Sequence, residues 1–401
     1  MNIQRVSNTS VWRDLRILFL AAPLIFLINI FFGFDNSLTV GEIPRWQLLI
    51  HLHGGSVGWI TLCAVGIAIW VLTGQRTVSE TYEQRIHYLV LAAVVIFGGY
   101  VLTFGIAFAN LDGPLVFLLP LFGLGAVLVL WAGAIYSLAQ LSKQSPMTTV
   151  HILAAGALLT AAVGATVGML LGMERLVGEF LPLGPDRVGA HAGMMDTYLF
   201  LVAAAVIEWF GSAKASERWS YAGLAQAVMW AVGATMVPIA FFTNTVESVL
   251  PIFGLFLIVG MLLFVIRVGW RVLAAGPGRG RQLWIFAGTI GMLLYFVLFL
   301  YAVMGTGGDF SVLPIWFFAA FAHIGFVGMM TNVLMAVLSA RAENSSMVSW
   351  GETAAFWTMN VGLILFMVLK IAADIRHGAI IMGIGVLLGV YTMVMRLRAS
   401  Q

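Results

Sequence analysis

Long apolar stretches separated by short polar breaks run through the whole chain. Breaks at charged residues or at Gly, Pro and Asn clusters divide it into twelve stretches of 18 to 28 residues, without regular polar–apolar alternation. About 20 apolar residues cross a bilayer as a helix, and only helices or closed barrels satisfy their backbone there. Barrel strands would alternate, so the pattern predicts an all-α polytopic membrane protein, 1–401, as a single domain with twelve transmembrane helices. The predicted spans are 17–34, 46–73, 86–109, 114–141, 147–172, 188–210, 218–242, 248–272, 283–305, 313–340, 353–372 and 378–396.

Composition and charge agree with a membrane location. The chain is 61% hydrophobic and 9% charged, with a mean hydropathy of +1.01. If the N-terminus is cytoplasmic, 15 of the 20 Lys and Arg residues fall on the cytoplasmic side, which is where such residues accumulate. We therefore expect a plasma (bacterial inner) membrane protein with both termini in the cytoplasm. Its expected partner is membrane lipid, and no nucleic acid is needed to explain the net charge of +3.

Four of the seven histidines share one layer of the predicted membrane. His51 and His53 come early in span two, His191 early in span six, and His323 about ten residues into span ten. All three spans start on the outer side, and ionisable groups at membrane depth are functional candidates. The alternative for each histidine is a hydrogen bond to a neighbouring helix. The common depth favours a metal or cofactor site.

The histidine-bearing spans recur at every fourth span. His53 and His191 are 138 residues apart, and His191 and His323 are 132 residues apart. Each histidine begins a similar segment: HGGSVG at 53–58, HAGMMD at 191–196 and HIGFVGMM at 323–330. This spacing predicts a pseudo-threefold repeat of a four-helix unit.

Imidazole is a common axial ligand for haem iron and also binds copper. His51 and His53 are two residues apart, so they point about 200° apart around a helix and cannot share one metal. The face of His51 continues through Gly54, Gly55 and Gly58. That surface is smooth enough for a flat macrocycle or for a closely packed helix.

The chain resembles the haem–copper oxidase subunit I superfamily, in a divergent, nitric-oxide-reductase-like branch. The features that carry this resemblance are the twelve spans, the inner termini, the histidines on spans two, six and ten, and the H-x-H-x-x-x-x-G-W sequence at 51–59. The resemblance implies haem b held by one histidine on span two and one on span ten. These match His53 and His323, with His51 the alternative on span two. It also implies that His191 binds copper or non-haem iron. Segments 46–53 and 323–337 are also similar to the nitric-oxide-response membrane haem family (NnrS).

The chain departs from the family pattern at two spans. Span seven has no histidine, and span ten has one where the family has two. A complete binuclear centre is therefore not expected, and we expect at most one histidine-ligated haem. A second, incomplete metal site near His191 and His51 stays open. Arg376 is expected to neutralise a haem propionate or to anchor its loop, and Asp196 to act as a proton-relay acid or to pair with a polar group on a neighbouring span.

Missing motifs narrow the function further. The single cysteine, Cys63, excludes disulfides and Cys-rich metal sites, and there is no P-loop, G-x-G-x-x-G, H-E-x-x-H or C-x-x-C-H. Three functions remain. The favoured one is a haem-dependent oxidoreductase that acts on nitric oxide or dioxygen, with an electron donor protein or quinol as partner. The others are a haem-dependent sensor or metallocentre-assembly protein without turnover, and a transporter with a polar pathway.

Overall fold

The computed structural model describes residues 10–38, 44–73, 79–109, 117–143, 147–178, 187–211, 220–243, 245–306, 312–339, 346–371 and 376–399. Within these ranges the chain forms twelve long helices and no strand, and each helix is long and apolar enough to cross a membrane. The chain is therefore an all-α, multi-pass membrane protein, which confirms the expectation from the hydrophobic pattern.

In chain order the helices are α1 (Ser10–Leu38), α2 (Arg45–His53, Gly54–Thr61 and Leu62–Thr73), α3 (Glu80–Ala109), α4 (Leu118–Leu141), α5 (Thr149–Val177), α6 (Arg187–Gly211), α7 (Tyr221–Thr243), α8 (Val246–Phe264, Val265–Gly269 and Trp270–Ala275), α9 (Arg281–Gly305), α10 (Ile315–His323, Ile324–Thr331 and Asn332–Ser339), α11 (Ser346–Ile371) and α12 (Arg376–Ala399). Helices α2, α8 and α10 are given as three ranges because the middle range of each is π-helical.

Some helices extend beyond the apolar stretches that predicted them. Helix α1 begins at Ser10 rather than 17, and α3 begins at Glu80 rather than 86. The added turns carry polar side chains that find partners within the bundle. Asp14 is 2% exposed and accepts a hydrogen bond from His87 of α3 (Nδ1–Oδ1 2.8 Å). Apolar windows therefore predict the membrane-embedded part of a helix but not its polar end.

Helices α2, α6 and α10 form the interior of the bundle. In their membrane-spanning windows 89%, 78% and 78% of the residues are buried, against 33% to 56% in the other nine. A single cluster of buried apolar side chains nevertheless includes residues from all twelve helices. The histidine-bearing spans are thus the three central ones. That the complete chain, 1–401, forms a single domain stays a prediction.

Helices α2 and α10 share an unusual local structure. Each has an eight-residue π-helical segment, Gly54–Thr61 in α2 and Ile324–Thr331 in α10. His53 and His323 are the residues immediately before these segments, and both sequences fit H-x-G-x-V-G-x-x-T. Helix α6 is α-helical from Arg187 to Gly211. Because π-helical segments are rare and often occur at functional sites, this shared feature makes α2 and α10 the candidate helices for a functional site.

Threonines close both π-helical segments in the same way. The hydroxyl of Thr61 donates to the carbonyl of Ser56, and that of Thr331 donates to the carbonyl of Phe326, each five residues back and each at 2.8 Å. The indole of Trp59 in α2 then donates to the hydroxyl of Thr331 in α10 (3.2 Å). A buried side-chain hydrogen bond therefore links the two segments directly.

Buried ion pairs join helices at the end of the bundle that the charge pattern predicts to be cytoplasmic. Arg267 of α8 donates to Glu208 of α6 (Nη2–Oε1 2.6 Å) and to Gln226 of α7 (Nη1–Oε1 2.7 Å). Arg396 of α12 pairs with Glu352 of α11. Two of the arginines in the orientation argument thus also hold neighbouring helices together.

Replacing Glu208 by alanine should lower the thermal stability of the protein markedly. Glu208 is 0% exposed, so its loss leaves the Arg267 guanidinium partly buried without its anion. Removing one partner of a buried pair typically costs about 3–5 kcal/mol. Thermal unfolding of the purified protein in detergent is the measurement, with Glu80→Ala at an exposed position of α3 as control. Equal melting temperatures for the two variants would contradict this role.

Candidate cofactor site

A cavity lies among α1, α2, α10, α11 and α12. Its volume is about 190 Å³, within about 1080 Å³ of space that contains no protein atoms and includes its open mouth. The lining is largely apolar, and His51 and His323 are the ionisable groups among the described residues that line it. Small residues contribute to the wall beside larger apolar side chains: Gly33, Gly55, Ala319, Ala322, Ala379 and Gly383.

The imidazoles of His51 and His323 face each other across this cavity. Their ring centroids are 6.0 Å apart and their planes are inclined by 32°. His323 also contacts the ring of Phe366 of α11, with centroids 4.6 Å apart. Two central helices therefore bring one histidine each to the same cavity.

The imidazoles of His51 and His323 are both held by a hydrogen bond from Nδ1 to a main-chain carbonyl. Nδ1 of His51 donates to the carbonyl of Asn29 in α1 (2.9 Å), and Nδ1 of His323 donates to the carbonyl of Ala319 one turn earlier in α10 (2.6 Å). A carbonyl only accepts, so the proton lies on Nδ1 and the Nε2 lone pair remains available. Metal-binding histidines are oriented in this way by their second nitrogen.

Helix α1 fits closely around His51. A Cβ atom added at Gly33 would lie 2.8 Å from Cε1 of His51, so glycine at this position leaves room for the ring. The side-chain amide of Asn29 donates to the main-chain carbonyl of His51. Asn29 thus holds His51 twice, once through its own carbonyl and once through its side chain.

The glycines after His53 serve mainly helix packing. A Cβ at Gly54 would approach Asn29 to 3.1 Å, and one at Gly58 would approach Ile25 to 2.3 Å. Gly55 also faces Asn29 and in addition lines the cavity. Of the two interpretations of these glycines, close packing of α1 therefore accounts for Gly54 and Gly58, and Gly55 serves both.

His53 lies on the other side of α2 and does not line this cavity. Its ring stacks on Phe104 of α3 with centroids 3.9 Å apart, and Tyr100 lies 6.1 Å away. The family resemblance matched His53 with His323, but the residue of α2 that meets His323 is His51. The reason is the rotation of about 200° between positions two residues apart on a helix.

His191 contacts α5. Its Nδ1 donates to the carbonyl of Gly164 (2.8 Å), and a Cβ at Gly168 would lie 2.6 Å from its Cε1. Among the residues that the structure describes, no three His, Cys, Asp or Glu side chains approach closely enough to hold a metal ion. Copper or non-haem iron at His191 and His51 therefore stays a prediction.

Asp196 pairs with a polar group on a neighbouring helix, one of the two roles predicted for it. The hydroxyl of Tyr295 in α9 donates to its carboxylate. The ring of Tyr295 stacks on Phe321 of α10 (centroids 4.4 Å apart), two residues before His323. Asp196 and Tyr295 therefore pack beside the histidine-bearing turn of α10 rather than in the cavity lining.

Interhelical hydrogen bonds also involve the polar residues that follow the π-helical segment of α10. The side-chain amides of Asn332 in α10 and Asn360 in α11 bond reciprocally at 2.9 and 3.1 Å. Such bonds typically contribute about 0.6 kcal/mol each in membrane proteins. They fix α11, and with it Phe366, against α10.

Arg376 begins α12 and its side chain is exposed. The cavity lining on α12 starts at Ala379, one turn further along. Arg376 thus stands one helical turn beyond the cavity on the same helix. This placement suits contact with an anionic group at the mouth, and that role stays a prediction.

Sequence reasoning missed Asn29, Gly33 and Phe366. Asn29 is a polar residue in an otherwise apolar part of span one, with a glycine four residues later. That polar signal could have marked the face of α1 that contacts a functional helix. Phe366 carried no signal, because phenylalanine is common throughout these spans.

Comparison with known proteins adds no relative. The chain matches no protein-family model, and no curated protein matches it.

Proposed function

We propose that the protein is an integral membrane haem protein in which His51 and His323 are the axial ligands of haem b. The observation that carries the proposal is the pair of imidazoles 6.0 Å apart in one cavity. Metal–nitrogen bonds of about 2.0 Å on both sides of one ion place two imidazole centroids roughly 6 Å apart. The ring separation therefore suits one iron ligated from both sides.

The cavity walls support a flat ligand. Glycine and alanine on α1, α2, α10 and α12 form part of an otherwise apolar wall, and the cavity has an open mouth, as an amphipathic macrocycle requires. We assign Arg376, one turn beyond the lining, to a propionate. The histidines orient the group through their Nδ1 hydrogen bonds, and the apolar walls exclude water from it.

Haem, when bound, would supply one-electron chemistry. We infer redox handling of nitric oxide or dioxygen in a bacterial inner membrane, with both termini cytoplasmic and with electrons from a donor protein or quinol. This is the role of a divergent relative of haem–copper oxidase subunit I or of NnrS. With both His51 and His323 holding the group, its chemistry in this cavity would be electron transfer rather than direct binding of an oxidant.

The test is the optical spectrum of the protein purified in mild detergent. We expect a Soret band that shifts on reduction, and a pyridine haemochrome of the b type after extraction. Absence of both after expression in a haem-replete host would overturn the proposal. If His51 and His323 both hold the iron, the spectrum should be that of a low-spin haem.

A second candidate is a haem-dependent sensor or metallocentre-assembly protein without turnover. It is favoured by the absence of histidine from 218–242, the predicted seventh span, and by the single histidine of α10. Consumption of nitric oxide or oxygen by the reduced protein in liposomes separates the two. Turnover above that of the haem-free protein supports the oxidoreductase, and its absence in a haem-loaded sample supports the second candidate.

A further inference from the structure

The three central helices each present two positions, two residues apart, that point to opposite sides of the helix. The pairs are His51 and His53 in α2, His191 and Gly193 in α6, and Phe321 and His323 in α10. The first position of each pair contacts the helix that precedes the central one. The second contacts the helix that follows it.

His51 and His191 have the same surroundings. Nδ1 of each donates to a carbonyl of the preceding helix, at 2.9 Å to Asn29 and at 2.8 Å to Gly164. Four residues after each carbonyl is a glycine whose added Cβ would lie 2.8 or 2.6 Å from Cε1 of the ring. The repeated unit therefore aligns His191 with His51, which moves the alignment predicted from the sequence by two residues.

His53 and His323 also correspond to each other. Each comes directly before a π-helical segment with the pattern H-x-G-x-V-G-x-x-T. Each ring packs on a phenylalanine of the following helix, Phe104 of α3 at 3.9 Å and Phe366 of α11 at 4.6 Å between centroids. The two histidines thus hold equivalent places in the first and third units.

These correspondences relate two interfaces between central helices. The first site takes His323 from α10 and His51 from α2. The threefold relation takes α10 to α2 and α2 to α6, so the equivalents of the same two ligands are His53 from α2 and His191 from α6. The helices equivalent to those around the cavity described above are therefore α2, α3, α4, α5 and α6.

The third interface, between α6 and α10, lacks both ligands. Gly193 and Phe321 hold the two positions. The ring of Tyr295 packs on Phe321, and a Cβ at Gly193 would approach Val237 of α7 to 3.3 Å. Two of the three interfaces therefore have a histidine at each of the two positions. At the third interface, between α6 and α10, Gly193 and Phe321 pack against neighbouring helices instead.

The counterpart interface also has small residues beside its histidines. Gly164, Gly168 and Gly172 follow one face of α5, and an added Cβ at Gly172 would meet no atom within 4 Å. A Cβ at Gly123 of α4 would meet only ordinary contacts, to Tyr100 at 3.7 Å and Met169 at 3.8 Å. The glycines of α5 thus leave the face of that helix that His191 contacts without side chains.

We propose that His53 and His191 bind a second iron-bearing macrocycle in the interface between α2 and α6. The proposal rests on the proposed function, because it assigns the same class of cofactor to an equivalent pair of ligands. It goes beyond the single histidine-ligated haem that we expect from the sequence, and it gives His53 and His191 a common role in place of a copper site.

The test is the haem content per chain of the full-length protein and of four single variants, measured by pyridine haemochrome against quantitative amino-acid analysis. We expect two haems in the unmodified protein and one in each of His51→Ala, His323→Ala, His53→Ala and His191→Ala. We also expect different low-spin electron paramagnetic resonance signals to remain in the two pairs of variants. His377→Ala, at an exposed position at the start of α12, is the control and should retain two haems.

The outcomes separate the two proposals. One haem in the unmodified protein, lost from the variants at 51 and 323 but retained at 53 and 191, overturns the second site and leaves the first. No haem in any sample overturns both. If a variant folds poorly, His191→Gly with added imidazole replaces it. Recovery of the second haem with imidazole supports a ligand role, and a folded but unrecovered protein opposes it.

Discussion

Replacing His323 by alanine is expected to remove haem from the cavity lined by α2 and α10, with a fall in affinity there of at least about 100-fold. Loss of groups that merely orient a ligand already costs about 10–100-fold, and His323 is proposed to be a ligand itself. Apart from His51, which holds the other side of the iron in this proposal, the described lining residues include no ionisable side chain that could replace the imidazole. One haem equivalent per chain should disappear from the purified protein.

The matched comparison for this variant is His51→Ala, which should lose the same haem and leave the same residual spectrum. Identical losses indicate that the two residues ligate one iron from opposite sides. Full haem content with an unchanged spectrum in both variants would show that the cavity does not hold the cofactor. His377→Ala controls for the loss of a histidine outside the cavity lining.

A valine in place of Gly33 should have the second largest effect, although this residue ligates nothing. An added Cβ alone would lie 2.8 Å from Cε1 and 3.2 Å from Nδ1 of His51. The ring must move, which breaks its hydrogen bond to Asn29 and displaces Nε2. Overpacking of this kind typically costs about 1–3 kcal/mol. We expect the haem of this site to bind roughly 10–100-fold more weakly, as when orienting groups are lost.

The control for this substitution is Gly98→Ala in α3, where the added Cβ would meet only Ile25 at 3.5 Å, an ordinary contact. Titration of the haem-free protein with hemin gives the affinities. Addition of imidazole should partly restore a low-spin spectrum to Gly33→Val if the native ring has been displaced. Unchanged affinity in Gly33→Val would contradict the fitted arrangement of α1 around His51.

The architecture follows from sequence to a large extent because burial in a membrane protein leaves a simple signal. Apolar length identifies the spans, and the depth of His51, His191 and His323 selects the helices that prove most buried. The helix ends are less predictable. Asp14 continues α1 because it finds a partner in His87, a residue 73 positions away that no local pattern reveals.

The sequence alone did not show which of His51 and His53 meets His323, because that depends on the tertiary structure. Helical geometry shows that the two rings point apart, but it does not show which neighbouring helix lies on each side. That depends on α1 packing against α2 through Asn29, Gly54 and Gly58. The same limit affected the repeat, since a glycine two residues after each histidine suggested a register that the packing of His191 against α5 corrects.

The Nδ1 acceptors of His51, His191 and His323 all belong to the main chain. A carbonyl oxygen is present whatever side chain its residue carries, so substitution at these positions removes the hydrogen bond only if it shifts the helix. Drift in the sequence can therefore change the walls of the cavity, and with them the potential of a bound iron, while the protonation form of each imidazole is preserved. The orientation of the imidazoles and the side chains of the cavity wall can therefore vary independently, even at Asn29 and Ala319, which contribute to both.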